Sequence, residues 1–267
     1  MKKNIKISVI MSEYNTDVEL LEKSIQSILN QTYKNFELII IDDCGKNDVK
    51  KIVKKFNDNR IIVSKNKKNS GLIYSLNKAI SLSKGEYIAR MDTDDWSLPD
   101  RFEKQIKFIE KNPQYDIVSG KAKIYNEDGV TGETKFSGPI SRKRLLSGTP
   151  IIHPTVMMSK KMLNKIGGYK NYNRCEDYAL WINAYYNGYK SYVLDDFLIK
   201  YHLSVSDYTK RSLKTRKGFF NLIKKEYWKL SPTIFDYCKI YIKNFVAGIL
   251  PYKIMNIFHN VKFKMER

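Results

Sequence analysis

The sequence predicts an α/β fold with a mostly parallel central sheet, followed by C-terminal amphipathic helices. Three observations predict it. Short apolar runs alternate with helix-length amphipathic segments through the first half of the chain, the pattern of a parallel sheet covered on both faces. Two of these runs end in carboxylates, at Asp42-Asp43 and at Asp92 to Asp95, and in such sheets ligands bind outside the carboxyl ends of the strands. After about Ser204 the alternation stops and aromatic residues are interleaved with lysines.

Taken in order, "KISVIM" (Lys6 to Met11) reads as a buried strand. A helix follows, with capping-box spacing at Thr16 and Glu19 and with Leu21, Ser24, Ile25 and Ile28 on one face. "FELIII" (Phe36 to Ile41) and "RIIVS" (Arg60 to Ser64) are further strands. "SGLIYSLNKAISLS" is a helix and "EYIARM" (Glu86 to Met91) a fourth strand. Pro99 suits the first turn of a helix running to about Lys111. From Asp116 the pattern loosens. "YDIVSGKAKIY" is a strand, "NEDG" a turn, "FSGPISRKRLLSGTP" a loop with a short helix, and "HPTVMMS" (His153 to Ser159) a strand. "KKMLNKIGGY" is a short helix stopped at Gly167-Gly168. A helix from Glu176 to about Gly188 and the strand-like "KSYVL" complete this unit. "GFFNLIKKEYWKL", "FDYCKIYIKNFVAGIL" and "YKIMNIFHNVKFKM" are helical-length segments divided by Pro232 and Pro251. The expected division is residues 1–205 and a basic, aromatic-rich helical tail, 206–267.

The net charge is +20, and residues 210–267 hold 14 Lys and Arg against 3 Asp and Glu, or +11. Such a charge suits nucleic acid, an anionic membrane or phosphorylated substrates. Cys44, Cys175 and Cys238 lie far apart, odd in number and without zinc spacing, which fits a reducing compartment. The N-terminal apolar run is too short for a signal peptide and no run approaches a bilayer span. The expected location is the cytoplasm, or the cytoplasmic face of a membrane.

Asp92, Asp94 and Asp95 crowd three carboxylates into four positions. Either they form a solvated turn before a helix, or they hold a hard cation, Mg²⁺ or Mn²⁺, through oxygen ligands. Asp42 and Asp43 either end a strand or accept hydrogen bonds from a nucleobase or ribose. Glu176 and Asp177 are either partners of a helix dipole or a general base and its neighbour. His153, His202 and His259 have no ligand spacing; His153 and His259 read as structural or rim residues, and His202 is open.

Taken together, "ISVIMSEYN", "SIQSILNQTYKNFELIIIDDCGKND", "NSGLIYSLNKAI", "GEYIARMDTDDWSLPDRFEKQ", "HPTVMMSKKMLNKIGGY" and "CEDYALW" occur in an order that resembles family 2 glycosyltransferases of the Rossmann-like GT-A fold. The likeness is strongest to bacterial enzymes of capsule, exopolysaccharide or O-antigen synthesis, and covers roughly residues 5 to 205. It implies that Ser12, Glu13 and Tyr14 line the base and ribose of a nucleotide and that Asp43 contacts the base. Asn69 and Gly71 match the loop closing over the nucleotide. Asp92 and Asp94 match the family's D-x-D, the pair that holds Mn²⁺ or Mg²⁺, with Asp94 the more direct ligand, Asp92 nearer ribose or donor sugar, and Asp95 shaping the site. Asp177 matches the catalytic base with Glu176 beside it, and His153 and Pro154 match a segment beside the acceptor cleft.

Three positions depart from the common pattern. Ser12 stands where Pro is frequent, "DDCG" (Asp42 to Gly45) stands where "DDGS" is frequent, and His202 follows Tyr201 where Arg is frequent. None removes a required carboxylate. The resemblance implies inverting transfer of a sugar from a nucleotide-sugar, UDP before dTDP or GDP, to a glycan acceptor on a polyprenyl diphosphate. The basic tail lies outside the family's motifs: its helices either pack on the domain or, as the interleaved aromatics and lysines suit, lie on an anionic membrane surface. A sugar nucleotidyltransferase is the competing enzyme class, but "SEYNTD" stands where those carry a Gly-rich basic segment. A nucleic-acid-binding protein would not gather acids at strand ends, so no nucleic-acid partner is expected. A processive synthase would need spanning helices and a Q-x-x-R-W string.

Overall fold

In the computed structural model, residues 6–126, 129–203 and 216–250 are described. Part of the "NEDG" turn, His259 and the helical-length segment from Tyr252 lie outside them. In chain order the first half runs β1 (Ile7–Glu13), α1 (Val18–Leu29), β2 (Phe36–Asp42), α2 (Val49–Lys54), β3 (Ile61–Lys65), α3 (Leu72–Leu82), β4 (Tyr87–Arg90), β5 (Trp96–Ser97) and α4 (Arg101–Lys111). Then come β6 (Ile117–Asn126), β7 (Gly129–Glu133), β8 (Gly138–Pro139), α5 (Arg142–Leu146), β9 (Met157–Ser159), α6 (Lys160–Ile166), α7 (Glu176–Tyr186) and β10 (Ser191–His202). The last described elements are α8 (Lys217–Glu226) and α9 (Ile234–Ile249).

The strands form one sheet in the order β3-β2-β1-β4-β9-β6-β10-β5, with β7 on β6 and β8 on β10. β3, β2, β1 and β4 are parallel. β9 runs antiparallel between β4 and β6, and β10 is parallel to β6. β3, β2, β1, β4, β6 and β10 therefore share one direction, and the carboxyl ends of β2, β1 and β4 lie side by side. Alternate residues feed two cores, as the period of a strand requires. Ile10, Ile39 and Ile41 pack under α3, α6 and α7. Val9, Met11, Leu38 and Ile40 pack under α1, α2 and α4.

Local chemistry explains where the expected elements shift. The cap of α1 is Asp17, which accepts from the Glu19 and Leu20 amides, and not Thr16. Thr16 Oγ1 is instead 2.7 Å from Thr93 Oγ1, across the site. Helix α4 begins after Pro99, with Asp100 at its cap. His153 to Thr155 form a 3-10 turn and only Met157–Ser159 is strand, because Pro154 fixes φ and brings no amide to a ladder. β10 is far longer than "KSYVL". A bulge between Leu194 and Phe197 absorbs the acidic Asp195-Asp196 pair, and the strand continues to His202. Gly167, with φ +81°, ends α6 as expected.

The described part of the 206–267 segment shares the core of the preceding unit. Leu222, Ile223, Tyr227, Leu230 and Ile240 are buried in the same cluster as Trp181 and Tyr178 of α7. Glu226 accepts from Tyr172 Oη at 2.8 Å and pairs with Lys170 and Lys229. The outer side of α9 is different: Ile234, Phe235, Ile242, Phe245, Val246 and Ile249 are all exposed.

Candidate active site

β4 delivers the acidic cluster. In a strand, residues two apart project to the same side, so Arg90 at the end of β4 reaches Asp92. The Arg90 guanidinium spans both oxygens of the Asp92 carboxylate through Nη1 and Nη2. Burial nonetheless pushes the Asp92 carboxyl up to about 6 against the opposing pull of Arg90, and Asp94 adds to the rise. Asp95 is buried; its Oδ1 accepts from the His202 amide at 2.8 Å, while its Oδ2 has no hydrogen-bond partner. Burial and its two acidic neighbours hold its carboxyl well above the usual carboxylate range, favouring the protonated form. Asp94 is left as the exposed carboxylate of the three, with 44% of its side chain accessible. Crowding is thus relieved by pairing one acid, favouring the neutral form of another and exposing the third.

The Asp94 backbone is fixed by Tyr125 Oη, which donates to its carbonyl at 2.7 Å. Tyr125 stacks on Trp96 at 4.4 Å and lies 5.2 Å from the His202 ring. Pairing of β10 with β5 and β6 carries His202 here, its Nδ1 3.6 Å from Asp94 Oδ2. The Asp94 carboxylate suits Mn²⁺ or Mg²⁺, provided that substrate oxygens and water complete the shell, and the imidazole beside it is a softer donor. Among the described residues no three metal-ligating side chains gather. The carboxylate and imidazole donors fit a cation shared with a diphosphate.

At the end of β2, Asp43 is buried and its carboxylate organises the loop before α3. Oδ1 accepts from Asn66 Nδ2 at 2.6 Å and from the Ser70 amide at 2.8 Å; Oδ2 accepts from the Gly71 amide at 2.8 Å. Gly71 has φ +85°, open to glycine at little cost, and Asn69 lies exposed on the same loop with its Oδ1 accepting from the Gly71 amide. Cys44, where the family often has glycine, takes φ +63°. At the end of β1, Glu13 is fully buried, and its Oε1 accepts from the Thr16 amide and Asn47 Nδ2. Oε2 has no hydrogen-bond partner, and burial raises the carboxyl. Ser12 is half-buried and Tyr14 is 49% exposed.

Glu176 and Asp177 open α7. Burial, with Glu176 next to it, pushes Asp177 up to about 7, although the Tyr178 amide donates to its Oδ1. Glu176 is close enough to raise Asp92, and Arg90 close enough to lower Asp177. The D-x-D segment and the α7 acids therefore lie within electrostatic reach of one another. His153 is fixed by its neighbours: its Nε2 is 2.8 Å from Tyr169 Oη, its ring is edge-on to Trp181, and burial beside Arg90 keeps it neutral.

Sequence reasoning passed over Arg90 and Arg101. Arg90 was visible as the residue two before Asp92 on a strand. Arg101, fully buried, donates from Nη2 to the carbonyls of Arg90 and Val156 and so braces the strand end from below; a cation in the first turn of an amphipathic helix gives no sign of this.

The glycosyl transferase family 2 model matches residues 8–167. The chain is 35% identical to EpsE of Bacillus subtilis (strain 168), which carries a glycosyltransferase name, over all of this chain and 98% of that one. It is 30% identical, over 81% of this chain and 85% of the other, to WfgD of Escherichia coli, a UDP-Glc:alpha-D-GlcNAc-diphosphoundecaprenol beta-1,3-glucosyltransferase. Among solved structures, the Pyrobaculum calidifontis mannosyltransferase PcManGT in complex with GDP-Man and Mn²⁺ superposes with a TM-score of 0.68 at 16% identity, covering 97% of this chain and 81% of that one. Residues 1–349 of S. aureus TarS, in complex with UDP, superpose with a TM-score of 0.62 at 24% identity, covering 84% and 68%. These two neighbours establish the GT-A fold.

Proposed function

Because the chain belongs to glycosyl transferase family 2, we propose that it is an inverting enzyme carrying a sugar from a UDP-sugar to a lipid-linked glycan acceptor in bacterial cell-surface polysaccharide synthesis. The observation that carries this reading is Arg90, which pairs with Asp92 and also acts on the raised Asp177, so that the D-x-D segment and the start of α7 share one electrostatic site.

Ser12 and Tyr14 line the base and ribose, while buried Glu13, expected there too, holds the turn beneath them through the Thr16 amide and Asn47, and the loop that Asp43 ties through Ser70 and Gly71 closes over them. Asp94 and His202 would hold a divalent cation, Mn²⁺ or Mg²⁺, which when bound supplies positive charge against the diphosphate leaving group. Arg90 orients Asp92 towards the ribose or donor sugar, and Asp95 holds the turn through the His202 amide. Asp177 takes the proton from the acceptor hydroxyl as that oxygen attacks the anomeric carbon from the face opposite the diphosphate. One base and no covalent intermediate give inversion. The UDP and GDP complexes of the structural neighbours, and the diphosphoundecaprenol in the name of WfgD, support the donor and acceptor classes. An acceptor in a bilayer gives the exposed face of α9 its partner, an anionic cytoplasmic leaflet.

Thermal unfolding against a panel of nucleotide-sugars, with and without Mn²⁺, tests the donor site. Ligand that binds the folded state raises the melting temperature by mass action. The expected result is a rise with a UDP-sugar, larger with Mn²⁺ and absent in Asp94→Ala. A rise of the same size in Asp94→Ala would remove the metal assignment.

A further inference from the structure

A cavity of about 710 Å³ lies among β6, the β7–β8 connection, α5 and α9. Its cationic walls come from three places: Lys135 on the β7–β8 connection, Lys143 and Arg144 on α5, and Lys243 on α9. Hydroxyls of Thr134, Ser141, Ser147 and Thr149 also line it, and among the described residues no carboxylate does. Four cations without an acid among the lining residues make an anion site. It is also built: Arg144 lies 3.4 Å from the centroid of the Phe136 ring, and Lys243 Nζ donates to the Ser147 carbonyl at 2.7 Å.

Its position ties it to the chemistry. Ile152 of its wall is next to His153. Leu145 of α5 accepts from Tyr178 Oη at 2.5 Å, and Tyr178 follows Asp177. On the other side the wall is α9, whose Ile242, Phe245, Val246 and Ile249 are exposed beside Lys243. The α5 wall of the cavity is therefore tied through Tyr178 to the start of α7, where the base stands, and its opposite wall is a helix with an apolar outer face.

We propose that this cavity is the subsite for the diphosphate of an isoprenoid-linked acceptor, with the isoprenoid leaving along α9. The proposal rests on the lipid-linked acceptor reading above. Arg144 and the three lysines bind the phosphate oxygens through charge-assisted hydrogen bonds. The donor diphosphate is recognised elsewhere, at Asp94, and needs a cation there; the cavity supplies its own positive charge and needs none.

That difference allows a clean test by titration calorimetry on the full chain in a chelator. Farnesyl diphosphate should bind, inorganic diphosphate should compete with it, and farnesol should not bind. Lys143→Ala with Arg144→Gln should weaken farnesyl diphosphate by about tenfold or more, as expected for losing charged contacts, with an unchanged melting temperature. Lys135→Ala, at an exposed position, gives a second variant. Binding of phosphatidylglycerol vesicles should not change in either. The proposal is overturned if farnesyl diphosphate does not bind without metal, if the substitutions leave its affinity intact, or if they weaken phosphatidylglycerol vesicles equally, which would make the cavity a phospholipid headgroup site. UDP with Mn²⁺, titrated in parallel, reports the donor site: its failure while farnesyl diphosphate still binds would strike the donor reading and leave the cavity assigned.

Discussion

Asp177 is pushed up to about 7 by burial beside Glu176, which matches a base to neutral pH. Transfer should rise with pH through an apparent pKa near that value and level off above it. Asp177→Asn should abolish transfer, by about a hundredfold or more, and remove the acidic limb from any residual rate. The same shift has a stability sign. The folded carboxyl binds its proton more tightly than the unfolded one, so stability is lost as pH rises from the unfolded value of 3.8 to about 7. Asp177→Asn should therefore be more stable than the parent at pH 8, by roughly 2 kcal/mol in urea unfolding after allowing for partial solvent exposure. The gain should shrink towards pH 4. An Asn variant that is active, or less stable at pH 8, would remove the assignment. Among the neighbouring acids, His202 shows how far one residue's role depends on the fold: it stands on β10, and only the pairing of β10 with β5 and β6 sets it beside Asp94.

Elements set the nucleotide side of the cleft. The loop before α3 hangs on three hydrogen bonds to the Asp43 carboxylate. Asp43→Ala should cost roughly 2–4 kcal/mol in urea unfolding and weaken UDP binding, whereas Asp43→Asn should recover part of both. Helix α8 makes a separate prediction. Its Leu222 and Ile223, with Tyr227 beyond it, are fully buried in the main core, so a chain ending at Ser206 should lose cooperative unfolding. A chain ending at Ser231 should keep it, since the only fully buried residue of α9 is Ile240. The parallel half of the sheet was legible in the sequence because β1 and β2 are continuous apolar runs, and the meeting of both acidic segments followed from their place at strand ends. What escaped were features made by distant parts: two-residue strands such as β5, the bulge that lets β10 run past Asp195 and Asp196, and the packing of α8. An amphipathic helix shows that it has an apolar face but not what covers it.

At the scale of the whole molecule, α9 separates two surfaces. Ile240 points into the core and Lys243 towards the basic cavity, while Ile234, Phe235, Ile242, Phe245, Val246 and Ile249 follow helical spacing along the outside. No described helix is long and apolar enough to cross a membrane, so this stripe suits a helix lying in the interface. The charge agrees, since residues 210–267 contribute +11 of the net +20, and lysines beside an apolar stripe favour an anionic leaflet. The full chain should sediment with phosphatidylglycerol vesicles and much less with phosphatidylcholine, and the difference should narrow in 0.5 M salt, about a sevenfold reduction of screening length from that at low ionic strength near 0.01 M. Phe235→Ser with Phe245→Ser should cut vesicle affinity by about tenfold or more, because each ring withdraws apolar area from water on insertion. Phe235 is 81% exposed, so the melting temperature should hold. Sedimentation unchanged by the double substitution would detach α9 from the membrane, leaving the net charge as the whole of the attraction.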